Sequence, residues 1–187
     1  MTEKLTLTPL GMDGLQLMER HPVPDSRGSL ERIYCCDVFY NAGIAKAVAQ
    51  INVTKTLLKG VVRGLHYQIS PHSELKVVTC LKGKVFDVAV DLRKNSRTFL
   101  KWHAQELSEE NNKSLVIPEG FAHGFQALSD NCELLYFHTH SYALGFEAGV
   151  NPLDAALSID WPLPISDISK RDENLPHIDN KFIGLEI

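Results

Sequence analysis

Paired cysteine spacings are missing from this chain of 187 residues. Its four cysteines, Cys35, Cys36, Cys80 and Cys132, include one adjacent pair but no Cys-x-x-Cys. This gives neither a zinc ribbon nor a disulfide framework, so reduced thiols and a cytoplasmic location are expected. A surplus of basic charge is missing too, the formal net charge being −4. General nucleic-acid binding draws on counterion release by a basic surface, which this composition does not supply. No apolar run approaches the roughly 20 residues that a membrane helix needs, and the first residues lack the apolar core of a signal peptide. A soluble protein is therefore expected, with no membrane partner. Helical periodicity is scarce: only residues 108–111 and 152–157 suggest single turns. There is no internal repeat and no low-complexity tract. The length suits one domain spanning residues 1–187. The proline-rich stretch from Trp161 to Pro164 marks the start of a C-terminal arm at about residue 162.

What the chain does have is short alternation. Residues 84–92 place Phe86, Val88, Val90 and Leu92 on one face of a strand. Residues 46–53 set Ala47, Ala49, Ile51 and Val53 opposite Val48, Gln50 and Asn52. Residues 133–141 put Leu134, Tyr136, His138 and His140 on a common face. Turn signals fall at Asp25-Ser26-Arg27-Gly28, Lys82-Gly83-Lys84 and Pro118-Glu119-Gly120. Many strands with few, short helices predict an all-β fold, an antiparallel sandwich or barrel of jelly-roll type.

Two motifs concentrate the chemistry, Arg-Gly-Leu-His-Tyr-Gln at 63–68 and Pro-Glu-Gly-Phe-Ala-His-Gly-Phe at 118–125. His66 follows Gly64, whose missing side chain permits close approach. A histidine taken alone is as readily a hydrogen-bonded core residue as a general base. Tyr136 can be sheet packing or a phenolic acid. Lys76 can be a solvated charge or a cation that stabilises a developing oxyanion. Arg27 and Arg63 each adjoin a glycine and have the planar fork that grips phosphate, with ordinary ion pairs as the alternative. Tyr142 can stack on a planar ligand or sit in an interface. A metal-dependent reading is also open, since His66, His72, His123, His138 and His140 supply imidazoles. No nearby carboxylate completes a facial triad, so no metal is expected.

In order and spacing, these motifs resemble the dTDP-4-dehydrorhamnose 3,5-epimerase family, from about Arg27 to Pro176. The resemblance is carried by the 63–68 motif, a lysine ten residues after its histidine, and Gly-Lys-Val-Phe-Asp-Val-Ala-Val-Asp-Leu-Arg-Lys-Asn-Ser at 83–96. The 118–125 motif and a tyrosine thirteen residues after its histidine complete the set. It implies a cupin-type jelly roll, a homodimer, no metal or organic cofactor, and a dTDP-linked 4-keto-6-deoxyhexose substrate. Carried over by position, His66 is the proton-abstracting base, Tyr136 the proton donor, Asp172 the carboxylate that orients His66, and Lys76 a polar group at the reaction centre. Arg27, Glu31, Gln50, Asn52, Arg63, His123, Tyr142, Glu147 and Arg171 match substrate-binding positions, Tyr142 being the one that stacks on thymine. Inversion can involve carbons 3 and 5, or only one of them. There are departures: Arg27 and Glu31 are one residue closer than in the usual pattern, Ser29 replaces an aromatic, Ile51 an aspartate and Arg171 a lysine. In a regular strand Arg63 and His66 face opposite ways. Either a bulge at Gly64 or use of Arg63 across a dimer interface reconciles them.

Overall fold

Side-chain alternation organises the chain into two large sheets in a computed structural model that describes residues 4–187. The chain opens with β1 (Leu5–Pro9), β2 (Gln16–Arg20), β3 (Val23–Asp25), β4 (Gly28–Leu30) and helix α1 (Cys36–Asn41). Next come β5 (Gln50–Thr56), β6 (Val61–Gln68), β7 (Lys76–Lys82), β8 (Lys84–Asp91) and β9 (Trp102–Ser108). It ends with β10 (Lys113–Ile117), β11 (Phe121–Ala127), β12 (Cys132–His138), β13 (Glu147–Gly149), β14 (Asp167–Ile168) and helix α2 (Lys170–Glu173). The first sheet runs β1-β2-β10-β7-β12-β5, and the second β13-β6-β11-β8-β9 with β14 added parallel to β6. β3 and β4 form a separate hairpin. This is the all-β jelly-roll sandwich that the sequence predicts.

Three apolar layers hold it together. Val78, Cys80, Leu115 and Leu134 of the first sheet pack against Val85, Ala89, Phe121 and Phe125 of the second, forming the inner core. The opposite face of the second sheet buries Leu65, Val88, Val90 and Leu92 under Leu157, Ile159, Trp161, Ile178 and Phe182. The outer face of the first sheet is covered by Phe39 of α1 and by Ile44, against Val77, Val116 and Phe137. β7 and β8 are therefore buried on both faces and read as nearly continuous apolar runs. Each such fully buried side chain contributes roughly 1.5–3 kcal/mol relative to exposure. Burial also raises the Cys80 thiol to about 12, which keeps it protonated.

Several local expectations needed correction. The strand expected at 46–53 is β5, Gln50–Thr56, so it starts four residues later. Residues 108–111 form a non-helical turn that carries the chain from the second sheet to the first. Asn111 N donates to Ser108 Oγ and Ser108 N donates to Asn111 Oδ1, closing the link between β9 and β10. Residues 152–157 form turns as well, and the short helices lie instead at α1 and α2. Past Val150 the chain runs over the outer face of the second sheet, then returns at β14 to pair with Val61 and Val62. That return delivers α2 to the open end of the sandwich.

Candidate active site

Where β6 meets β11, two glycines remove the side chains that would hold the strands apart. A Cβ on Gly64, at φ +118°, would lie 2.6 Å from Gly124 Cα and 2.7 Å from the His123 carbonyl oxygen. The pairing passes from His123↔His66 to Phe125↔Arg63, so β6 spends one more residue than β11 across this interval. This is a β-bulge, which re-aims side chains next to it. Arg63 and His66 consequently line the same cavity despite their odd spacing. The bulge at Gly64 resolves the parity conflict in the sequence.

The carboxylate next to His66 is set by α2. Ser169 caps this helix, its side chain accepting from Asp172 N at 3.1 Å, and the single turn points Asp172 at the bulge. Asp172 Oδ1 accepts from His66 Nε2–H at 2.8 Å, and Oδ2 accepts from Gly64 N at 3.1 Å. Burial alone would raise this carboxyl. The bonds from His66 and Gly64 outweigh it and hold Asp172 below the ordinary carboxylate range. A carboxylate on Nε2–H fixes the tautomer and leaves the lone pair on Nδ1.

The facing sheet contributes Tyr136 from β12 and Lys76 from β7. Burial, followed by the nearby Asp87 charge, pushes the Tyr136 phenol well above 10, so it is a proton donor at neutral pH. Lys76 is buried and donates to the His66 carbonyl at 3.1 Å, which ties the two sheets across the cavity. Below them, His123 Nε2–H donates to Asp87 Oδ1 at 2.8 Å, and the His123 ring packs edge-on against Tyr136. Burial pushes the Asp87 carboxyl up, with His123 opposing the shift.

His66, Asp172, Tyr136, Lys76 and His123 border a solvent-open cavity of about 440 Å³. Of the residues expected from sequence, Gln50, Asn52, Arg63, His66, Lys76, His123, Tyr136, Tyr142, Glu147, Arg171 and Asp172 all line it. Tyr142 stands exposed at the mouth, its N–H donating to Gln50 Oε1, and Arg171 pairs with Glu147 at 2.6 Å. Arg27 and Glu31 do not line it. Arg27 sits on the β3–β4 hairpin with 86% of its side chain exposed, bonded to Asp25, while Glu31 pairs with Arg20 at 3.2 Å. Sequence reasoning missed Asp87, Glu74, Gln68 and Thr54, and met His138 only as a metal candidate. Asp87 carried a legible signal, as a carboxylate inside the apolar run 85–92. Among the described residues, no three His, Cys, Asp or Glu side chains are grouped to hold a metal ion. His66, His123 and His138 each face a carboxylate of their own, and His72 packs against His140.

A family model described as dTDP-4-dehydrorhamnose 3,5-epimerase matches residues 9–180. The chain belongs to the dTDP-4-dehydrorhamnose 3,5-epimerase family. It is 44% identical over 151 residues to the dTDP-4-dehydrorhamnose 3,5-epimerase of Shigella flexneri, covering 80% of this chain and 83% of that one. It is 38% identical over 171 residues to a dTDP-4-dehydrorhamnose 3-epimerase of Streptomyces niveus, covering 91% and 82%. Similarity extends to the crystal structure of the dTDP-6-deoxy-D-glucose-3,5-epimerase of Legionella pneumophila in complex with dTDP-4-keto-L-rhamnose. There the TM-score is 0.90 at 35% identity, over 98% of this chain and 99% of that one. The 3,5-epimerase family is thus one of isomerases acting on sugar nucleotides, built on the cupin jelly roll described above. No helix among the described residues is long and apolar enough to cross a membrane.

Proposed function

We propose that the chain inverts carbons 3 and 5 of a dTDP-linked 4-keto-6-deoxyhexose, acting in the cytoplasm on the route to dTDP-rhamnose and surface polysaccharide. One observation carries this reading: an oriented imidazole and a protonated phenol project from opposite sheets into one cavity. The ketone at carbon 4 acidifies the hydrogens on carbons 3 and 5, because the carbanion delocalises as an enolate. His66, oriented by Asp172, takes the proton on one face. Lys76 stabilises the enolate oxygen, aided by His123. Tyr136 returns a proton to the other face, and the centre inverts. No electron leaves the substrate, so the chemistry needs no redox cofactor. Gln50, Asn52, Arg63, Glu147 and Arg171 bind the remainder of the substrate, with thymine stacked on Tyr142. Binding at a distance from the reacting carbon holds the sugar in place.

Incubation with dTDP-4-keto-6-deoxyglucose, followed by proton NMR couplings at carbons 3 and 5, tests the reading. Inversion of both centres is the expected product. Inversion of one centre assigns the narrower reaction that the 3-epimerase relative carries in its name, and an unchanged sugar contradicts the proposal.

Arg27 and Glu31 join the site in this proposal through a homodimer. Among the described residues the β3–β4 hairpin pairs only with itself, and it holds Arg27 out in solvent. Edge strand β5 exposes 57% of Ile51 and 52% of Val53, an apolar edge that a second copy would cover. Light scattering should give about 42 kDa, twice the 20.9 kDa chain, and a monomer mass contradicts the dimer.

A further inference from the structure

Between Lys76 and Tyr142 the cavity wall holds a histidine–carboxylate pair that the chemistry above does not use. Glu74, just before β7, is buried with 7% of its side chain exposed. Its Oε2 accepts from His138 Nδ1–H at 2.8 Å and its Oε1 lies 3.3 Å from Lys76 Nζ. Burial by itself would raise the Glu74 carboxyl, but His138 and Lys76 outweigh it, and the group is held below its ordinary value as a carboxylate. His138 ends β12, two residues beyond Tyr136 on the same face, and the two rings lie nearly parallel with centroids 5.9 Å apart. Across the ladder it stands opposite Gln50, the residue whose side chain accepts from Tyr142 N. The wall therefore runs from Tyr136 to His138 to Gln50 and Tyr142. A nucleotide sugar with its hexose at Tyr136 and its base on Tyr142 carries its diphosphate past His138.

We propose that His138, oriented by Glu74, is a proton-linked contact for that diphosphate, a reading that rests on the substrate class proposed above. With Nδ1–H committed to Glu74, a neutral ring presents a lone pair at Nε2, which lies 3.4 Å from Asn52 Nδ2. A phosphate oxygen cannot bond to that lone pair. Taking one proton from solvent onto Nε2 creates a second donor beside the Asn52 amide, and both N–H groups then converge on one oxygen. The imidazolium bridges carboxylate and phosphate, giving charge-assisted bonds on both sides. The neighbours of His138 allow this. From the β7 side it faces Glu74 and Lys76, from β5 the uncharged Gln50 and Asn52, and on its own strand the protonated Tyr136. Lys76 is already held by Glu74 and the His66 carbonyl, so His138 is the group left to follow the phosphate charge.

Isothermal titration of the full chain with dTDP, in two buffers of different ionisation enthalpy, reads both affinity and proton uptake. Thymidine, which lacks the phosphates, is titrated in parallel. Wild type should take up a proton with dTDP and bind more weakly as pH rises. His138→Gln should lose that uptake and bind dTDP about tenfold more weakly, with thymidine changed by less than about twofold. Glu74→Gln should reduce the uptake while His138 remains, an effect that simple loss of packing would not produce. Unchanged uptake and affinity in His138→Gln overturn this proposal alone, as does equal weakening of thymidine and dTDP. A wild-type chain that fails to bind dTDP overturns the proposed substrate as well.

Discussion

His66→Ala is expected to abolish epimerisation while leaving nucleotide binding nearly intact. General-base catalysis typically contributes about 100- to 10,000-fold. Removing the imidazole leaves Asp172 its bond from Gly64 N at 3.1 Å, so the α2 cap and the bulge keep their geometry. Gln50, Arg63 and Tyr142 are untouched. The comparison of interest is kcat against the dissociation constant of dTDP. A collapse of kcat at constant affinity fits a base acting on the sugar. An alanine variant within about tenfold of wild type would remove His66 from that role.

Tyr136→Phe is expected to slow inversion by about 100- to 10,000-fold, the usual contribution of a positioned acid. Only the hydroxyl is lost. The ring stays packed edge-on against His123 and nearly parallel to His138, so fold and cavity shape persist. Burial and the Asp87 charge hold the phenol in its protonated form, which suits it to give a proton and makes it a poor base. Loss of that proton leaves the second face of the enolate without a donor. Circular dichroism unchanged from wild type, with product formation reduced, separates this from unfolding.

Much of this site was legible because strand parity is a strict rule. The alternation at 133–141 put Tyr136 and His138 on one face, and both line the cavity. The alternation at 84–92 identified β8 to within one residue. The same rule failed at Arg63 and His66, because a bulge changes the count, and only the contact between Gly64 and Gly124 shows why it forms there. Asp172 came from the family resemblance. Local sequence shows its capping serine, but the parallel return of β14 beside β6 is a long-range pairing with no local signature. Glu74 was hidden for a related reason. Its partners are the side chain two residues on and a histidine 64 residues later, brought together by the pairing of β7 with β12. Residues 108–111 misled in the opposite direction. Serine and asparagine hydrogen-bond to backbone in turns as readily as at helix starts, and here the chain turns at once from β9 in one sheet to β10 in the other.

The central claim is that hydrogen leaves one face of the sugar at His66 and arrives on the other from Tyr136. Its most direct test is to run Tyr136→Phe on dTDP-4-keto-6-deoxyglucose in deuterium oxide, with NMR counting both deuterium incorporation and inversion at each carbon. Two-face chemistry predicts that the variant still washes solvent deuterium into the substrate with retained configuration while inversion all but stops. Exchange and inversion falling by the same factor would contradict it.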